Sequence, residues 1–180
     1  MQDGLCYLCY DGKPVKASRL FTGYEHEQAT KKLALHFQKP VDYYESLKYN
    51  SGLVLRPAEA GYYNNIDGPA GLPQSGFLKR DLSSYSSYEH AYHQLISDIV
   101  GLQVHSTQMV MHGAMVSTIY VDGGFSKNEI FMKLLALSFR NQSVLAATLP
   151  QASSIGAALA MHRHWNTEPV RGDIIALKKY

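Results

Sequence analysis

Ser117-Thr118-Ile119-Tyr120-Val121-Asp122-Gly123-Gly124-Phe125-Ser126-Lys127-Asn128-Glu129 is the stretch on which the fold turns. Its first five residues are β-prone and stop at Asp122-Gly123-Gly124, a turn signal. Ser126 then precedes Glu129 by three positions, the spacing of a capping box, ahead of helical periodicity at Ile130, Phe131, Leu134, Leu135 and Leu137. The stretch therefore predicts strand, glycine turn and helix. Such a junction presents unpaired amide N–H groups and the positive end of a helix dipole, which suit an anion or a polar ligand. Paired glycines remove the Cβ atoms that would hold a ligand off the backbone.

The arrangement repeats downstream. Ser143–Thr148 reads as a second strand ended by Pro150, and Ser153 or Ser154 is positioned to cap a helix from Ile155 to about His164. Gly156-Ala157-Ala158 gives that helix a face poor in side chains. A glycine inside a helix costs roughly 1 kcal/mol relative to alanine, so close approach of the preceding helix or of a ligand is expected there.

The string Val121–Asn128, followed by Ser154-Ile155-Gly156-Ala157-Ala158-Leu159-Ala160, resembles the adenosine-binding part of FGGY carbohydrate kinases, members of the actin-like ATPase superfamily. Residues 12–27 look closest to rhamnulokinase-like members. The resemblance implies that residues 1–180 correspond to the C-terminal, nucleotide-binding domain of such a kinase. It implies transfer of the γ-phosphoryl group of MgATP to a hydroxyl of a sugar of the rhamnulose, fuculose or xylulose class. ATP and Mg²⁺ are then the expected cofactors. Gly123 and Gly124 would line the nucleotide, Asn128 would contact the adenosine through its amide, and Gly156 would divide its role between helix packing and nucleotide approach.

Upstream, Leu5–Tyr10 and Lys13–Phe21 read as strands of a hairpin joined at Asp11-Gly12. Thr22-Gly23-Tyr24-Glu25 opens a predicted helix to about Phe37, and Ser86-x-x-Glu89 opens a longer one to about His112 with apolar positions Tyr92, Leu95, Ile96, Ile99, Val100 and Leu102. Between them, residues 40–84 read as a loop-rich insertion with a short strand at Leu53-Val54-Leu55 and turn chemistry at Asn64–Pro69. The order predicts an α/β domain whose later strands run parallel. In the resembled family the fold is ribonuclease-H-like and opens with three antiparallel strands. Two are visible here, so the chain is expected to be truncated at its N-terminus. Its apolar hairpin edge is then expected to drive self-association or pairing with an N-terminal half.

That expectation bears on chemistry. Phosphoryl transfer needs positioned ATP, Mg²⁺ and a group that orients the acceptor hydroxyl. The resemblance implies that the catalytic residues and the sugar pocket lie in the N-terminal half, and no Asp-x-Gly-Thr phosphate turn occurs in the sequence. Asp122 is read as holding its own turn, not as a base, and Ser126 as a cap. A non-catalytic nucleotide-binding or protein-interaction module is the alternative reading.

The remaining features exclude more than they propose. The chain has 180 residues, 46% hydrophobic and 18% charged, with net charge +2. It is long enough to bury a core, and its charge points to neither nucleic acid nor an anionic membrane. Two cysteines suit a reducing cytoplasm. Cys6-x-x-Cys9 lies in a strand-like run and is read as structural. His90 and His93 share a helix face without a Glu or Cys to complete a zinc pattern, so no metal site is expected. The tyrosines at 43, 44, 62, 63, 85, 88 and 92 suit packing more than sugar stacking.

Overall fold

A long helix with a fully enclosed middle organises the molecule. The computed structural model describes residues 5–8, 14–54, 75–147, 152–169 and 177–180. The elements are β1 (Leu5–Leu8), β2 (Pro14–Ala17), α1 (Gly23–Phe37), α2 (Tyr88–Met111), β3 (Thr118–Val121), α3 (Glu129–Ser138), β4 (Ser143–Ala147), α4 (Ala152–Trp165) and β5 (Leu177–Lys179).

Helix α2 is buried without interruption from Ala91 to Val100. Helices α1 and α3 pack on it, and so does a 3₁₀ turn at Ser51–Leu53. Tyr92, Leu95, Ile96, Ile99 and Val100 supply the apolar core, joined by Leu33 of α1 and by Ile130, Met132, Leu134 and Leu135 of α3. Each such side chain contributes roughly 1.5–3 kcal/mol of burial. Five of the six expected apolar positions are buried, Leu102 being half-buried, and the face is incomplete: His93, Gln94, Ser97 and Asp98, the polar side of the same turns, are buried too.

Strands β3 and β4 pair in parallel, with Ile119 opposite Val144 and Val121 opposite Ala146, and α3 makes the crossover between them. Along β4, Val144 and Ala146 are buried while their neighbours are half-buried, the alternation of a sheet covered on one face. Strand β5 adds antiparallel to β4, giving the order β3-β4-β5. The α/β class with parallel β3 and β4 is as expected; the antiparallel β5 was not foreseen.

The expected hairpin forms, with Leu5 opposite Ala17 and Leu8 opposite Pro14, but its second strand ends at Ala17 and not at the expected Phe21. It forms a separate two-stranded sheet among the described residues rather than extending the three-stranded one. A hydrogen bond from Gln103 Nε2 to Ser18 Oγ (2.9 Å) ties the chain just after β2 to α2. Helix α1 has the expected span, yet the Thr22–Glu25 capping box is absent. Thr22 makes no side-chain cap bond, and the Glu25 carboxylate accepts instead from the Ser75 amide and hydroxyl. The cap of α2 is Ser87, one residue later than expected, accepting from the His90 amide at 3.2 Å.

In the loop-rich segment, the strand expected at Leu53–Leu55 is replaced by the Ser51–Leu53 3₁₀ turn, whose cap Asn50 accepts from the Gly52 amide. Leu55, the turn at Asn64–Pro69, Tyr62, Tyr63 and Cys9 lie outside the described residues. No described helix is long and apolar enough to cross a membrane.

Candidate functional site

The glycine turn after β3 is built by short-range bonds. The Asp122 carboxylate accepts from the Gly123 amide at 2.7 Å, so Asp122 holds its own turn. Gly123 has φ +89°, a conformation that favours glycine. A 3₁₀ turn then runs from Gly124 to Lys127. Ser126 is buried within it: its hydroxyl donates to the Gly123 carbonyl at 2.7 Å.

Ser126 is thus not the helix cap, and the Ser126–Glu129 capping box does not form. Asn128 caps α3, its Oδ1 accepting from the Phe131 amide at 3.0 Å. The Glu129 carboxylate instead lies 3.3 Å from both Lys48 and Lys133. The exchange has a simple cause: the extended backbone at Asn128 is the conformation an N-cap needs, whereas Ser126 is already inside a 3₁₀ turn.

Because Oδ1 of Asn128 must face an N–H donor, its Nδ2 is the atom that donates to Tyr92 Oη, at 2.7 Å. The Tyr92 hydroxyl proton is left for Nε2 of His26, 3.0 Å away. This relay joins α3, α2 and α1 behind the turn. Phe125 and Tyr44 close over it, their rings edge-on to His26 at 5.3 and 5.0 Å. Burial lowers the His26 imidazole to about 4 and pushes the Tyr92 phenol well above its usual range. Both are neutral at physiological pH, so the relay positions elements and does not exchange protons.

The four expected nucleotide positions divide accordingly. Gly123 and Gly124 are exposed at the C-terminal end of β3, and a Cβ built on either meets nothing within 4 Å. The backbone there is open to approach. Asn128 has its amide committed on both sides, to α3 and to Tyr92. Gly156 lies in α4 and is exposed, and a Cβ built on it meets nothing within 4 Å among the described residues. Since β3 and β4 are parallel, the glycine turn and the chain leading to α4 leave the sheet from the same end. Lys127 is exposed.

Sequence reasoning missed the polar groups behind the site. Tyr92 was assigned to the apolar face, and nothing in the spacing distinguishes a hydroxyl with two partners from one with none. A second buried cluster lies between α1, α2 and residues 75–80. Asp98 is paired with Arg80 at 2.8 Å and accepts from Gln94 at 2.8 Å. Burial raises its carboxyl to about 6, against the opposing pull of Arg80. No group of three or more His, Cys, Asp or Glu converges on a metal position among the described residues. The chain matches no family model, no curated protein and no solved structure.

Proposed function

We propose that this chain is the nucleotide-binding half of an ATP-dependent carbohydrate kinase, with a ribonuclease-H-like domain of the FGGY type. One observation carries the reading: a glycine turn, open at the C-terminal end of one of two parallel strands, leaves Gly123 and Gly124 without neighbouring side-chain cover. Ligands of α/β sheets bind at that end of the strands. The open space at Gly156 supports the same reading, because no packing partner among the described residues explains its cost in a helix.

In this reading the backbone at Gly123 and Gly124 approaches the phosphates and ribose, with Gly156 a further point of approach. Asn128 fixes the start of α3 through Tyr92, and its expected adenosine contact would require giving up that bond. MgATP supplies the transferable phosphoryl group. The orienting base, the sugar pocket and the metal-bearing carboxylates belong to a domain carrying the Asp-x-Gly-Thr turn, a motif absent from this sequence. Closure of that domain over the turn would exclude water during transfer.

The test is an amide-resolved titration of the chain with MgATP to millimolar concentration. Shifts centred on Gly123, Gly124 and Gly156 are expected. Unmoved resonances at those three positions would end the nucleotide-binding claim. Exposed apolar residues Met161 and Trp165 favour a second reading, a protein-interaction module without nucleotide. Concentration-dependent shifts confined to α4 without added ATP would support it.

A further inference from the structure

Residues 43–53 cross the outside of α2 as two successive 3₁₀ turns, Tyr43–Ser46 and Ser51–Leu53. Aromatic and apolar packing of Tyr43, Tyr44, Leu47 and Tyr49 on the core holds them, together with a small set of polar bonds. Tyr43 Oη donates to Glu89 at 2.6 Å, and the Tyr44 ring stacks on Tyr92 at 5.6 Å. The Lys48 ammonium lies 3.3 Å from Glu129 of α3. In addition, the backbone amide of Asn50 donates to Nε2 of His93 at 3.1 Å.

His93 is 1% exposed, and its protonation state follows from its partners. Nδ1 faces the Glu89 carbonyl at 2.7 Å, an acceptor only, so Nδ1 carries a proton. Nε2 faces an N–H donor, so it must be bare. The ring is therefore held neutral in one tautomer between two backbone groups. A second proton would set N–H against N–H at Asn50 and remove the bond outright.

We propose that residues 43–53 are an acid-released strap, latched to α2 by the bond from the Asn50 amide to neutral His93. The other polar fastenings do not change charge in mildly acidic solution. Glu89 is held below the usual carboxylate range by the Tyr43 hydroxyl. Glu129, against the opposing effect of its partial burial, is held low by Lys133 and Lys48. The titratable groups facing His93 are Glu89 and His90 of α2. The Lys48 backbone of the strap, like that of Glu89, favours the charged ring and opposes the larger effect of burial. The Lys48 ammonium pairs with Glu129 of α3, beside Lys133. Burial lowers the imidazole from its ordinary 6.5, so protons are taken up on opening. The latch is intact above 6.5 and is lost as pH falls below it. Release withdraws Tyr44 from Tyr92 and from the edge of His26, uncovering the relay behind the glycine turn.

The test is amide exchange on the full chain from about pH 7.5 to about pH 5, corrected for the intrinsic pH dependence of exchange. The Asn50 protection factor is expected to fall as pH drops below 6.5, by at most about tenfold per pH unit, while Ile96 and Ile99 stay protected. In His93→Gln, whose carbonyl accepts from Asn50 without titrating, Asn50 protection is expected to lose that slope. Should this variant not fold, the ring nitrogen shifts of the native His93 report the same event: the bare Nε2 must gain its proton in step with loss of Asn50 protection. A protected Asn50 beside an imidazolium, loss of all three amides together, or an unchanged slope in His93→Gln would overturn the proposal.

Discussion

Helices α2 and α4 have comparable apolar content, yet their surroundings differ completely. In α2 every residue from Ala91 to Val100 is buried, charged and polar ones included. In α4 no residue with a described side chain is buried, and Met161 and Trp165 are exposed by 56% and 66%. The difference shows that local pattern decides whether a helix forms, while neighbours decide what its residues cost. Enclosure turns Asp98, His93 and Tyr92 into groups that need specific partners. Exposure leaves the small-residue face of α4 with none among the described residues.

The largest expected effect breaks the enclosed side. Arg80→Met strands the Asp98 carboxylate in the interior and should cost about 4 kcal/mol at neutral pH in urea unfolding. The loss should shrink as pH falls, because the Asp98 carboxyl, already raised to about 6, is raised further without its cation and becomes neutral. An equal loss at both ends of the range would contradict the buried-charge account.

His26 works in the opposite direction. Its folded imidazole is lowered to about 4 from an ordinary 6.5, so the unfolded chain takes up a proton first. Its contribution is complete above 6.5 and is lost as pH falls toward 4, at most about 3 kcal/mol. Because Asp98 gains stability over the same interval, the loss is best read in an Asp98→Asn background. There it should be steep with His26 present and flat in His26→Phe.

A matched pair of truncations compares the two helices directly. Ile99→Ala should cost about 3 kcal/mol by leaving a cavity against α1 and α3, whereas Met161→Ala should cost under about 0.5 kcal/mol. A Met161→Ala loss as large as that of Ile99→Ala would mean that α4 is covered in solution. The smallest effect has the opposite sign. Gly156→Ala meets open space and should stabilise α4 by about 0.5–1 kcal/mol, read as a small rise in thermal midpoint. If Gly156 faces nucleotide as proposed, the same substitution should weaken ATP-induced shifts, so the gain in stability and the loss in binding appear together.

Much of the backbone was legible in advance. Periodicity and punctuation located α1 to Phe37, α2 to Met111, the hairpin, β3 and β4, and the parallel pairing followed from the crossover helix. Helix starts were less legible. Thr22, Ser86 and Ser126 carry cap-competent oxygens, but the caps that form are Ser87 and Asn128, where the backbone is extended and the oxygen reaches a free amide. In the described part of the expected Leu53–Leu55 strand, Leu53 belongs to a 3₁₀ turn closed on Asn50 instead. Strand β5, only three residues with exposed side chains, carries no alternation to read.

Within the candidate site, Gly123 and Gly124 were identifiable because a strand–glycine–helix junction is a local object of a dozen residues. Asn128 was identifiable as a residue but not in its role, which depends on a hydroxyl 36 positions away on α2. The tautomers of His26 and His93 lay equally out of reach. The sequence by itself determined where α1, α2, β3, β4 and the glycine turn lie, since those choices rest on short-range sterics and neighbouring side chains. Only the tertiary structure decided which polar groups lose water and which partners replace it, because desolvation depends on elements brought together from distant parts of the chain.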